Sequence, residues 1–313
     1  MPPDAPDASP PALARRRRRR KPWAAGYLFL APWLFGFFLL TAGPMVGSLY
    51  LSFTGFDLLQ PPRWIGLANY ERMFTDDPRF TAAFWVTMRY VLFSVPLKLA
   101  FALALAMLLD RGLRGLSFYR SVLYLPSLLG GSVAIAVLWK QIFGYDGLVN
   151  SALYSLFGVD GPSWISNPDY ALETLIALRV WQFGSPMVIF LAGLRQIPTE
   201  LYEAAAIDGA GPWTLFRRVT LPLLTPVVFF NLVLQTIDDF KAFTPAFIIS
   251  GGTGGPVDST LFYTLYLYQE GFGYFRMGYA SALAWLLFVV IGTFTAAAFL
   301  TSRYWVHYAD DRR

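Results

Sequence analysis

Apolar residues run through this chain in blocks longer than most soluble helices use. The first extends from Ala24 to about Leu51, and five more follow at roughly 83–109, 118–141, 171–195, 221–249 and 279–302. A transmembrane helix needs about 20 apolar residues, so the pattern predicts six crossings, the first kinked or interrupted near Pro32 and Pro44. Between the blocks lie turn and polar signals: Gly55 to Phe80, Asp110 to Ser117, Gly144 to Tyr170, Gln196 to Thr220 and Gly251 to Gly278. The predicted class is all-α and integral to a membrane. Residues 1–22 read as a disordered basic tail, 23–302 as the membrane domain and 303–313 as a second tail. The external loops are too short to hold a separate folded domain.

Composition narrows the chemistry. Charged residues make up 14% of the chain and aromatic residues 18%, where a soluble domain carries about 25% charged residues. Cysteine is absent, which excludes disulfides, thiol nucleophiles and thiolate metal sites. A single histidine, His307, leaves no His-based metal site or catalytic triad. The run Arg15 to Lys21 reads as a topogenic cluster and not as a nucleic-acid site, because a long apolar block follows it. That block exceeds a signal-peptide core of about 7–15 residues. Placing the N-terminus inside puts this run, Arg111, Arg114, Arg120, Arg195, Arg217, Arg218, Arg303, Arg312 and Arg313 on the cytoplasmic side. Only Arg63, Arg72, Arg79 and Arg276 then lie outside, with Lys140 at a border. This asymmetry predicts that both termini are cytoplasmic. Trp64, Tyr70, Trp164 and Tyr170 fall near external helix ends, as an aromatic belt would.

Candidate chemistry is sparse. The glycine-rich Ser250 to Pro256 lacks the Gly-Lys-Ser/Thr ending of a phosphate loop and reads as a tight turn. No such loop occurs elsewhere, so an ATP-driven process would need an ATPase on another polypeptide. Ionisable residues inside apolar blocks cost about 2.5–3.5 kcal/mol at a helix centre and mark function by default. They are Arg89, Lys98, Arg179, Asp238, Asp239 and Lys241. Arg89 and Lys98 could snorkel or pair with carboxylates. Asn231, Gln235 and Asp238 are spaced i, i+4, i+7 and share one face of helix five. Trp181, Gln182 and Ser185 form a similar cluster on helix four. Either group serves hydrogen bonds between helices or lines a path for a hydroxyl-rich solute. Asp238, Asp239 and Lys241 could also form a proton relay in a self-contained secondary transporter.

The cytoplasmic stretch 196–220 differs from everything around it. Thr199 can cap a helix, with Glu200 and Glu203 in or beside the first turn where the helix dipole favours negative charge. Ala204, Ala205 and Ala206 let another backbone approach. Gly209 suits a left-handed helix end, and Pro212 suits the first position of a second short helix. Trp213, Leu215 and Phe216 supply apolar anchors. The result is a helix, a turn and a helix outside the membrane, made either for docking or for lying on the lipid surface.

Glu203-Ala-Ala-Ala-Ile-Asp208-Gly209-Ala, followed by Phe216 and Thr220-Leu-Pro222, resembles the EAA loop of permease subunits of bacterial ATP-binding-cassette importers. The resemblance extends over nearly the whole chain. Trp64-Ile-Gly-Leu-Ala-Asn69-Tyr, Tyr124-Leu-Pro126, Trp139-Lys140, Gly147-Leu-Val-Asn150 and Gly278-Tyr-Ala-Ser-Ala are similar to the carbohydrate-uptake branch, in particular to the first permease of maltose and glycerol-3-phosphate importers. It implies a type I importer fold of six transmembrane helices in a bacterial cell membrane, and no enzymatic activity. The implied partners are a second homologous permease, an extracytoplasmic sugar-binding protein and a cytoplasmic ATPase dimer that binds the ATP and Mg. No cofactor is implied for this chain. By the same resemblance Glu203, Ala204, Ala205, Asp208, Gly209 and Phe216 couple to the ATPase. Trp181, Gln182, Ser185, Asn231, Gln235, Asp238 and Asp239 would line the substrate path. The acidic pair Asp238-Asp239 stands where such relatives tend to have amides, a departure that points to a different sugar. A non-sugar solute such as glycerol phosphate or an amino acid is the alternative within the same machinery.

Overall fold

The computed structural model describes residues 22–112 and 115–307. The run Arg15 to Lys21, Arg114 and the residues from 308 onward lie outside it. The chain divides into two units between Ser48 and Leu49. The first holds α1 (Pro22–Phe37), a π-helical turn at Phe38–Ala42 and the start of α2 (Gly43–Ser52). Its sequence is apolar all round, as a membrane span requires. The predicted interruption is present, but it is the π turn between Pro32 and Pro44.

The second unit starts with a two-residue antiparallel pair, β1 (Thr54–Gly55) and β2 (Arg63–Trp64), followed by α3 (Ala68–Thr75) and α4 (Pro78–Asp110). Asp77 caps α4 by accepting from the Phe80 amide at 2.9 Å. Pro78 suits the first turn, where no amide is needed. At 1.5 Å per residue a helix of 33 residues is about 50 Å long, well beyond the roughly 30 Å of a hydrocarbon core. This helix is the spine of the unit. It buries Ala83, Val91, Val95, Leu99, Ala102 and Ala106.

The third and fourth predicted spans are each broken. α5 (Leu116–Leu129) meets α6 (Val133–Ile142) at 95°. Gly130-Gly131 ends the first helix, and Ser132 starts the second by accepting from the Ile135 amide at 3.3 Å. After α7 (Leu148–Phe157), α8 (Pro168–Trp181) meets α9 (Gly184–Leu194) at 43°. Pro186 removes the amide that would bond the Gln182 carbonyl. That freed carbonyl accepts instead from Ser127 Oγ at 2.9 Å.

Next come α10 (Thr199–Ile207), α11 (Pro212–Leu215), a π turn at Phe216–Thr220 and α12 (Leu221–Phe240). The fifth block was expected as one helix to residue 249. Instead α12 stops at Phe240, and α13 (Thr244–Ile249) starts afresh at Thr244-Pro245. Phe243, with φ −136°, is the non-helical residue at the start of α13, and Pro245 falls in its first turn, where no amide is needed. α14 (Tyr263–Tyr268) and a π turn at Gln269–Gly273 precede α15 (Met277–Trp305). Segments read as connections therefore contain α3, α7 and α14. Among the described residues four helices are long and apolar enough to cross a membrane, or up to six if each bent pair is one span. Helices α8, α9, α12 and α14 pack around α4.

Two separated motifs converge on the β1 region. Asn69 Nδ2 donates to the carbonyls of Ser52 at 2.8 Å and Thr54 at 3.0 Å. The Gly278 amide donates to the Phe56 carbonyl at 3.0 Å, and a Cβ at Gly278 would lie 2.1 Å from the Thr54 oxygen. Only glycine permits that approach. Asn150 plays a similar part after α6, accepting from Trp164 Nε1 at 2.6 Å and donating to the Tyr145 carbonyl at 2.9 Å.

Candidate functional site

Two regions carry the polar chemistry. The first lies among α4, α8 and α12. Arg179, near the end of α8, reaches both carboxylates of helix α12: its Nε donates to Asp239, and Nη2 donates to Asp238 at 2.5 Å. Its Nη1 donates to Gln182 Oε1 at 3.0 Å. The two carboxylates differ sharply, with the Asp239 side chain fully buried and that of Asp238 60% exposed. Asp239 also accepts from Ser94 of α4. One turn further along α4, the Lys98 ammonium donates to Gln235 Oε1 at 2.6 Å. The Arg179–Asp239 pair is thus buried and satisfied, the condition under which charge is tolerated in a membrane interior, while Asp238 stays open and Lys98 rests on an amide.

Gln182 links this cluster to the helix breaks. Its Nε2 donates to the Gly130 carbonyl at 2.9 Å, an acceptor left free where α5 ends. The Ser185 amide donates to Ser127 Oγ at 2.9 Å. The two bent pairs are therefore pinned to each other at their breaks, immediately beside Arg179. A cavity of about 230 Å³ opens there, lined by Tyr90, Arg179, Gln182, Asp238, Lys241 and Phe243 among others. Carboxylate, amide and ammonium groups beside two aromatic rings can bind a hydroxyl-rich solute.

The residues predicted for a substrate path separate into groups. Asp238 and Gln182 line this cavity. Asp239, Gln235 and Asn231 are buried in helix contacts. Trp181 faces a different groove between α4 and α8, with Phe93, Leu97 and Phe101, and packs on Trp139 at 6.0 Å. Ser185 serves the α5–α9 joint. Lys241 forms no ion pair among the described residues; the partner of the acidic pair is Arg179. Sequence reasoning singled out Arg179 as a costly ion without a partner and offered Lys98 snorkelling or a carboxylate partner; Lys98 is instead buried and donates to the amide of Gln235. The spacing of Arg179 and Gln182 was an available signal, since i and i+3 share a helix face.

The second region is the segment from α10 to α11. The predicted helix, turn and helix are present. Thr199 was expected as the cap, but it is the first helical residue and no side chain caps α10. Gly209 has φ +77°. The Gly209 amide donates to the Ala206 carbonyl and that of Ala210 to Ala205, both at 3.0 Å, the bond pair that closes a helix through a left-handed residue. Pro212 opens α11. No residue of α10 is buried, and Ile207 and Trp213 are 86% and 70% exposed. Glu203, Ala204, Asp208 and Gly209 are exposed, while Ala205 and Phe216 are half-buried. Tyr202 and Thr220 share a hydrogen bond of 3.0 Å that ties α10 to the start of α12.

A family described as "binding-protein-dependent transport system inner membrane component" matches residues 79–313. The chain belongs to this family. As such a component it is a multi-pass bacterial membrane protein, and both regions just described fall within the matched residues. The probable ABC transporter permease protein YesP of Bacillus subtilis (strain 168) is 52% identical over 95% of this chain and 96% of its own. The lactose transport system permease protein LacF of Rhizobium radiobacter is 31% identical over 89% of this chain and 94% of its own. Among solved structures, a chain of a bacterial alginate ABC transporter in complex with an alginate pentasaccharide-bound periplasmic protein superposes with TM-score 0.77 at 22% identity. It covers 90% of this chain and 94% of the other. That likeness shows the fold of an ABC importer permease.

At the end of the bundle where this transport component begins α4, Asp77 accepts hydrogen bonds from Tyr266 and Tyr279 as well as from the Phe80 amide. Burial pushes its carboxyl up. The two tyrosines, the amide and the charge of Arg72 outweigh that and hold it below the usual carboxylate range. Arg79 pairs with Asp258 at 2.9 Å beside it. Sequence reasoning missed this anchor, because the two tyrosine partners lie 189 and 202 residues from Asp77.

Proposed function

We propose that the chain is one of two homologous transmembrane subunits of an ATP-driven importer for a sugar or oligosaccharide. It crosses the membrane six times, each bent pair counting as one span, with both termini in the cytoplasm. The α10–α11 segment seats in a separate ATPase dimer, which binds ATP and Mg. An extracytoplasmic binding protein delivers the solute to the opposite face. The family match over residues 79–313 carries this reading, and the lactose-transport relative favours a sugar over glycerol phosphate.

The chain's own residues suit the two tasks. An exposed helix closed by a left-handed glycine, with Ile207 and Trp213 projecting from it, suits insertion into a groove. Glu203, Ala204, Ala205, Asp208, Gly209 and Phe216 form its coupling surface. The bond from Tyr202 to Thr220 passes displacement of α10 directly to α12. At its far end α12 carries Asp238 and Asp239, held by Arg179. Asp238, Gln182 and Lys241 then meet the solute, with Tyr90 and Phe243 as apolar platforms. Trp181, Ser185, Asn231, Gln235 and Asp239 shape the same path from behind or in another state of the cycle.

The test is reconstitution of the complex with its second permease, ATPase and binding protein in lipid vesicles. ATP hydrolysis should rise when the binding protein is added with lactose or a related oligosaccharide. Hydrolysis that ignores the binding protein for every sugar in the panel would overturn the sugar assignment.

A further inference from the structure

Helices α4 and α12 face each other through a polar ladder. Ser94 donates to Asp239, and Lys98 donates to Gln235 at 2.6 Å. Ser94 and Lys98 are four residues apart on one helix, and Gln235 and Asp239 four apart on the other. The helices therefore run antiparallel in a shared register, one rung per turn. The next rung of that register sets Ala102 against Asn231. Ala102 has only a methyl group, and both residues are fully buried.

Asn231 is left half-satisfied by this arrangement. Its Nδ2 donates to the Val227 carbonyl of its own helix at 3.2 Å. Its Oδ1 is buried and has no hydrogen-bond partner among the described residues. An unpaired buried acceptor is destabilising, and one in a native structure calls for an explanation. The donor that could satisfy it is one rung away. Lys98 is 3% exposed, its ammonium has three donors, and one of them is engaged among the described residues. The amides of Gln235 and Asn231 are separated by one turn, about 6 Å along the helix. A sweep of the four-carbon lysine stem plus a modest slide of α12 spans that distance.

We propose that Lys98 is a positioning residue of the transport cycle that exchanges acceptors along α12, from Gln235 in this state to Asn231 in the alternate one. The two amides give α12 two discrete resting positions against α4. Asp239 keeps Arg179 through the exchange, so α8 travels with α12, while Ser94 passes from Asp239 toward Gln235 as the register shifts. Asn231 is idle here because its rung is filled in the other state. A purely structural asparagine would be paired in the state that it stabilises.

The inference rests on the proposed transport function, and its test separates the two. The complete complex is assayed for the ratio of ATP hydrolysis with and without binding protein, and for its melting temperature. Asn231→Leu removes the second acceptor and the unpaired oxygen together. The expected result is a stimulation ratio lowered by about fivefold or more with an unchanged or raised melting temperature. A wild-type ratio overturns the exchange, and so does a ratio that falls together with the melting temperature. If Asn231→Leu does not assemble, Ala102→Ser decides. Its hydroxyl supplies a donor to Asn231 in the present register, so the melting temperature should rise while the ratio falls; a wild-type ratio overturns the exchange. A wild-type complex whose hydrolysis ignores the binding protein overturns the transport reading, and the exchange with it.

Discussion

The α10–α11 segment and the Arg179 cluster are built on opposite plans. The first is exposed and makes its structure from neighbours in sequence: a left-handed Gly209, Pro212 at a helix start, and bonds spanning three to five residues. The second is largely buried and makes its structure from groups 59 to 145 residues apart. A surface element can be shaped locally because water satisfies whatever its own backbone does not. Charges within a membrane helix have no such recourse and must find one another across helices. The two regions should therefore fail differently: damage to the cluster should prevent assembly, and damage to the loop should leave an assembled but uncoupled protein.

The largest effect should come from Arg179→Leu, which leaves Asp239 buried with Ser94 as its remaining side-chain partner. Breaking a buried pair in this way costs about 3–5 kcal/mol. The variant should yield little assembled complex by size-exclusion chromatography in detergent. Normal recovery would show that the cluster is dispensable to the fold. Gly209→Val comes next. A β-branched residue at φ +77° costs roughly 1–2 kcal/mol, spent on the end of α10. Membrane insertion should be normal, with ATP hydrolysis no longer responsive to the binding protein. A variant with wild-type stimulation would remove the coupling role from this turn.

Smaller effects should come from groups at the edges of both plans. Asp238→Asn keeps an acceptor beside Arg179 but removes an exposed charge, and exposed pairs contribute about 0–1 kcal/mol. Assembly should be unaffected and uptake reduced several-fold if this carboxylate meets solute; unchanged uptake would limit it to tuning Arg179. The smallest effect should be in Asp77→Asn. Because the folded carboxyl is held below its ordinary value, its stabilisation is complete above the unfolded value of about 3.9 and is lost as pH falls through the folded one. The melting temperature of the wild type should thus be level near neutral pH and decline under acid, and the variant should start slightly lower and decline less steeply. Parallel acid limbs would rule out the Asp77 anchor as a contributor.

What was legible in the sequence follows from the same contrast. The apolar blocks, the glycine turn and the proline starts depend on periodicity and local backbone chemistry, and the structure shows each of them within its segment. The breaks at Gly130 and Gln182 had local causes in plain view, glycine pairs and Pro186, but their angles depend on the side chains that receive the freed carbonyls. Those receivers, Gln182 for Gly130 and Ser127 for Gln182, come from another helix. Asn231, Gln235 and Asp238 were grouped by spacing, yet α4 divides them: Asn231 and Gln235 are buried, with Lys98 bound to Gln235, and Asp238 is left exposed. Asp239 gave no hint that it would be the buried member of its pair. No single-helix pattern carries that information.

The most direct test of the account is uptake of a labelled oligosaccharide into vesicles holding the complete complex, with ATP and a proton gradient varied independently. Uptake should require ATP and the binding protein and be indifferent to the gradient. Uptake driven by the gradient without ATP would contradict it, and would return Asp238 and Asp239 to the role of a proton relay.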